Sequence, residues 1–112
     1  LDFVPVKVHP LFDSFDDPVC CNYYDEKAQI VIATPIYIDE YINEINLKCV
    51  RVLIIDDIDK CFRFFKDFKP LFNMIMSKLT KGLLQLLVLS RSISKPVYQF
   101  INDYMDNANI II

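Results

Sequence analysis

Glycine is nearly absent: Gly82 is the single one among 112 residues. A backbone cradle for phosphates needs several, because only glycine lets successive N–H groups wrap closely around an anion. A G-x-x-x-x-G-K-[ST] phosphate loop is therefore excluded from these residues. Tryptophan is missing, His9 is the one histidine, and the four cysteines form no C-x-x-C pair. Cys20 and Cys21 are adjacent while Cys49 and Cys61 stand alone, so a closed zinc site lacks its paired ligands and reduced thiols are expected. His9, which precedes Pro10, is expected to be structural or solvated. No apolar run approaches the roughly 18 residues of a membrane span, and no basic-then-apolar leader opens the sequence. The expectation is a soluble, cytoplasmic protein with no membrane contact.

What is present is mostly apolar. Hydrophobic residues make up 54% of the chain and charged residues 24%, which excludes disorder and suits a sheet covered on both faces. The length allows one domain, residues 1–112, around one core. Charge is divided unevenly. Residues 1–46 carry two bases against nine acids, whereas residues 47–112 carry ten bases against six acids. The bases cluster in Lys60, Arg63, Lys66, Lys69, Lys78, Lys81, Arg91 and Lys95, a face able to attract phosphates but equally able to remain solvated.

Along the chain, strand and helix signals alternate. Residues 3–8 read as an edge or irregular strand because of Pro5, and residues 10–27 as loop or a short helix. Residues 29–33 form a short strand stopped at Thr34-Pro35. Residues 36–45 place Ile38, Ile42 and Ile45 at helical spacing, with acids opposite. A strand over 50–55 follows. Pro70 suits a first helical turn, Leu71, Met74, Ile75 and Leu79 mark the buried stripe, and Gly82 ends the helix. Residues 84–89 form the next strand, Pro96 opens a helix with Val97, Phe100, Ile101 and Tyr104 inward, and 109–112 read as a closing strand. This alternation predicts an α/β fold built on a doubly wound parallel sheet.

Two strand ends are polar. Val52-Leu53-Ile54-Ile55 runs into Asp56-Asp57-Ile58-Asp59, and Leu86-Leu87-Val88-Leu89 runs into Ser90-Arg91-Ser92. Open α/β sheets bind ligands at the carboxyl ends of their strands, so these carboxylates and hydroxyls are the candidate site.

Together with Ala28-Gln29-Ile30-Val31-Ile32-Ala33-Thr34-Pro35, these segments resemble, in order and spacing, the second half of the first RecA-like domain of DEAD-box RNA helicases. The resemblance covers most of the chain from about residue 28. It implies a truncated RecA-like domain that lacks the phosphate-loop strand. By that resemblance Asp56 holds magnesium through its water shell, and Asp57 stands where the family has the glutamate that orients the attacking water. Aspartate is shorter by one C–C bond, about 1.5 Å, and a misplacement of that order can cost about a hundredfold in rate. Asp59 matches, while Ile58 replaces a small alanine. In the hydroxyl motif that couples hydrolysis to strand separation, Ser90 matches, Arg91 replaces alanine and Ser92 replaces threonine. Thr34 and Pro35 match the RNA-backbone motif, with Ile36 and Tyr37 where glycine and arginine are usual.

Phosphoryl transfer is mostly positioning plus charge stabilisation, so a site without the phosphate cradle is expected to have negligible turnover. The chain alone is thus expected to bind no cofactor, with ATP and magnesium entering only if other residues supply the missing half. Three functions fit the resemblance. One is a degenerate helicase-like module for protein interaction or RNA–protein assembly, similar to the helicase-like domains joined to Tudor domains in piRNA-pathway proteins. A second is a fragment of an ATP-dependent RNA helicase; a third is an ATP-independent RNA-binding module using Thr34 and the bases between Lys60 and Lys95. The phenylalanines read as core and not as a stacking platform for single strands. In such sheets the phosphate-loop strand lies between those matching 84–89 and 109–112. Its absence predicts direct pairing of those two, or an exposed edge that recruits a protein partner or a second copy.

Overall fold

The computed structural model describes residues 8–11, 29–80 and 82–105. The expected strand at 109–112, nearly all of those at 3–8 and 10–27, and Cys20 and Cys21 lie outside these residues. Within them the chain runs β1 (Val8–Leu11), β2 (Ile30–Ala33), α1 (Pro35–Tyr41), β3 (Val52–Ile55), α2 (Ile58–Phe64), α3 (Phe68–Lys78), β4 (Gln85–Val88) and α4 (Lys95–Tyr104). This is an α/β arrangement.

The described strands make two separate two-stranded parallel ladders instead of one continuous sheet. In the first, Val8 pairs with Ile30 and Leu11 with Ala33. His9 and Pro10 therefore belong to a strand, where the proline had been expected to open a loop. A two-stranded ladder has only edges, and there a proline can turn its donor-less nitrogen away from the partner. In the second ladder Val52 pairs with Gln85 and Ile55 with Val88. The ladder continues past β4, because the Leu89 N–H donates to the Ile55 carbonyl at 2.9 Å.

Local chemistry sets the helix boundaries. Thr34 is extended (φ −84°, ψ 158°) and Pro35 opens α1, as its fixed φ and missing N–H favour. The helix begins one residue earlier than the sequence pattern predicts and ends at Tyr41. Ile42 and Ile45 follow in a turn and are buried nonetheless. Asp57 adopts the left-handed conformation (φ 49°, ψ 52°) directly before α2. Aspartate tolerates that region better than most residues, and the change of direction there ends β3. Ile58 and Asp59 thus form the first turn of a helix and are not a strand end. The phenylalanine-rich stretch that follows, residues 62–65, lies largely in α2 itself. Pro70 is the third residue of α3, inside the first turn, where no intrahelical partner for its N–H is needed. Gly82 (φ 86°) makes the turn back toward β4.

The core lies between the inner face of the β3–β4 ladder and the helices α2, α3 and α4. Ile58, Phe68, Phe72, Val97 and Phe100 form the buried cluster, with Leu53, Ile55, Leu86 and Val88 packed against it. Phe72 is the hub: its ring lies edge-on to Phe100 and Tyr104, each at 4.8 Å between centroids. The α3 stripe is Phe68, Leu71, Phe72 and Leu79. Met74, expected inside it, is 45% exposed, because it lies two residues after Phe72 and helical neighbours two apart point away from each other. Val97 and Phe100 face inward as expected, with Ile101 and Tyr104 packed beside them.

Candidate functional site at the strand ends

The carboxyl ends of β3 and β4 meet. The Ile58 N–H donates to the Leu89 carbonyl at 3.0 Å, so the start of α2 is tied to the end of β4. That tie brings the acidic segment against Ser90-Arg91-Ser92. The Ser92 hydroxyl donates to Asp59 Oδ2 at 3.2 Å, and the Ser90 hydroxyl donates to the Ser92 carbonyl at 2.5 Å, which folds the serine loop on itself. Asp59 is buried, and its Oδ1 has no hydrogen-bond partner. Its place in the first turn of α2 partly offsets the cost of burying a carboxylate, since the helix dipole favours negative charge there.

Asp57 faces cations. Its Oδ2 lies 3.7 Å from Lys60 Nζ and its Oδ1 lies 3.5 Å from Arg91 Nε. The left-handed backbone at 57 turns this side chain toward both. Asp56 is exposed and its carbonyl accepts a long contact of 3.9 Å from the Cys61 thiol. Burial pushes the Cys61 thiol up from its ordinary range, and the negative charges of Asp57 and Asp59 add to the effect. Both Cys49 and Cys61 are free thiols.

A shallow cleft of about 220 Å³ joins this region to the start of α1; Thr34, Pro35, Asp56, Asp57, Lys60 and Phe64 are on its walls. The structure therefore gathers the Thr-Pro pair and the first two aspartates at one cleft, while Asp59, Ser90 and Ser92 meet behind it. Two participants were missed by the sequence reading. Arg91 had been counted as a departure from a motif and as part of a basic face, yet it is the second cation on Asp57. Phe64 had been assigned to the core, yet it is 74% exposed, with the Arg63 guanidinium 5.9 Å from its ring centroid. The signal for Phe64 was in the sequence: Ile58, Cys61, Phe62 and Phe65 follow the i, i+3, i+4, i+7 spacing, and position 64 falls off that stripe.

Of the three aspartates, Asp56 is exposed and has no cation at ion-pair distance among the described residues. Two cations already flank Asp57, Asp59 points inward to a serine, and no three Asp, Glu, His or Cys side chains among the described residues come close enough to share a metal ion. No phosphate cradle accompanies them. Among the described residues, no helix is long and apolar enough to cross a membrane.

No protein-family model matches the chain, and no curated protein does either. The helicase resemblance accordingly rests on the quoted segments and their order.

Proposed function

We propose that this chain is a degenerate DEAD-box helicase-like domain, a truncated RecA-like unit that serves as a protein-interaction or RNA–protein assembly module and does not turn over ATP. The observation that carries this reading is the state of Asp57. The position that would orient an attacking water is instead held between Lys60 and Arg91, and Arg91 is itself a departure from the motif it stands in. The pairing of Asp59 with Ser92 agrees with descent from a site in which the acidic and hydroxyl motifs communicate. Isothermal titration of the chain with ATP and magnesium tests the proposal. No heat of binding at micromolar ATP is expected, and clear micromolar affinity would refute it.

A second reading has its own observation. Phe64 and Arg63 offer an exposed aromatic ring and a guanidinium beside Thr34 and Pro35, the kind of surface on which a single-stranded base can stack. ATP-independent RNA binding then predicts that Phe64→Ala weakens affinity for single-stranded RNA by about 1–3 kcal/mol, with affinity falling steeply as salt rises. Titration at two salt concentrations checks this, and absence of binding at low salt removes the reading.

A further inference from the structure

The cleft at the strand ends holds one carboxylate that the described residues leave uncommitted. Asp57 is flanked by Lys60 and Arg91 and Asp59 is bonded to Ser92, whereas exposed Asp56 makes no ion pair with a described residue. Asp56 shares the cleft wall with Phe64, whose ring is largely exposed, and with Thr34, whose hydroxyl makes no capping bond. At about 220 Å³ the cleft is smaller than the roughly 300–1,000 Å³ of sites for drug-sized ligands, so it suits one flat group. Cations surround it. Lys60 lines the cleft, Arg91 lies against Asp57, and Arg63 lies over Phe64. The side chains of Lys60 and Arg91 are 50% and 77% exposed against 31% for Asp57, so an incoming ligand meets the cations first. They repel a cationic group seeking Asp56 and attract the phosphate of a nucleotide.

We propose that the cleft takes a guanine base, stacked on Phe64 and held at its Watson–Crick edge by Asp56. A carboxylate has only acceptors and pairs best with two adjacent donors. Guanine presents them, N1–H beside the N2 amine, and leaves O6 to accept from the Thr34 hydroxyl. Adenine and cytosine offer one amine beside a ring-nitrogen lone pair, and uracil offers one N–H between two carbonyls. Each of these sets a lone pair against Asp56. Stacking on Phe64 supplies affinity for any base, so the carboxylate is the group that selects. The inference deepens the RNA-binding reading by naming the base, and rests on that reading for the source of the base.

The test uses the full chain at low salt and fluorescence anisotropy with labelled hexauridylates that carry one central guanosine, adenosine, cytidine, uridine or inosine, with 5′-GMP as competitor. The guanosine oligonucleotide is expected to bind about tenfold tighter than the adenosine, cytidine and uridine ones. Inosine, which lacks the N2 amine, should lose most of that preference. Asp56→Asn should level the five affinities and Phe64→Ala should weaken all of them, with circular dichroism unchanged because both side chains are exposed. A guanosine preference with weak competition by GMP carries the proposal and assigns the base to RNA. The same preference with GMP competing as well as the oligonucleotide carries the proposal, assigns the base to a free nucleotide and refutes the RNA reading alone. Equal affinity for all five oligonucleotides overturns the proposal and leaves the RNA reading standing, whereas absence of binding to every probe overturns both. Binding of tetra-arginine that Asp56→Asn abolishes would also overturn the proposal, since the occupant would then be a cationic partner.

Discussion

Among the described residues, Asp59 is the buried charged side chain. It is a buried carboxylate with one oxygen bonded to Ser92 and the other without a partner. Removing the hydroxyl in Ser92→Ala leaves both oxygens unpaired, and a buried charge without partners is costly, so stability should fall by about 1–3 kcal/mol. In an Asp59→Asn background the same change should cost only about 1 kcal/mol, the net value of a neutral hydrogen bond. Urea unfolding of the four variants in a double-mutant cycle measures the difference. Cys61 gives a pH-dependent signature at the same scale. Its thiol holds its proton longer in the folded state than in the unfolded chain, where the ordinary value is 9.0. The unfolded chain therefore ionises first, and the contribution of this group favours unfolding progressively as pH rises past about 9. Between pH 8 and pH 10 the denaturation midpoint of the parent should fall relative to that of Cys61→Ser as pH rises.

Among the elements, α3 separates what periodicity decides from what packing decides. Phe72 sits at the hub of the ring cluster with 1% exposure, while Met74 is 45% exposed. Phe72→Ala should cost about 3–5 kcal/mol, as for large core truncations, and Met74→Ala should stay within about 0.5 kcal/mol, as at surface positions. Thermal or urea unfolding of both variants checks the ranking. Much of this level was legible in advance. Pro96 marks a helix start because proline's fixed φ suits a first turn, and the inward set Val97 and Phe100 follows from helical spacing. The register of the α3 stripe was not legible, because Leu71, Met74 and Ile75 fit a helical face as well as Phe68, Leu71 and Phe72 do. Only the position of the neighbouring helices α2 and α4 selects between those faces. The break between β3 and α2 also escaped the sequence, since Ile58 continues an apolar run and nothing local announces that Asp57 turns left-handed.

For the whole molecule, the two ladders differ in support. The β3–β4 ladder rests on the ring cluster, whereas Ile30, Val31 and Ile32 of β2 are all at least 36% exposed. Opening a ladder costs more when it exposes packed apolar surface. Amide hydrogen exchange should therefore be slower by orders of magnitude at Leu53, Ile55 and Leu87 than at Val31 and Ile32, and equal protection of the two ladders would contradict this account. Charge is organised at this scale as well. Lys60 and Arg91 flank Asp57, Lys69 lies 3.8 Å from Asp103, and Arg63 lies over Phe64, so these four bases of the cluster seen in the sequence are engaged within the described residues.

The sequence by itself determined the α/β alternation, the polar residues that follow the apolar strands at Asp56-Asp57 and Ser90–Ser92, and the want of a phosphate cradle. These follow from side-chain periodicity, from carboxylates placed directly after apolar runs, and from a single glycine, all of them local properties. Tertiary structure decided which of those residues meet. Asp59 lies against Ser92 and Asp57 lies between Lys60 and Arg91 because parallel pairing of β3 with β4 brings strand ends more than thirty residues apart to one place. It also decided that Phe64 faces outward and that one side of the β3–β4 ladder is bare. A residue's exposure depends on what packs across from it, and no local pattern carries that information.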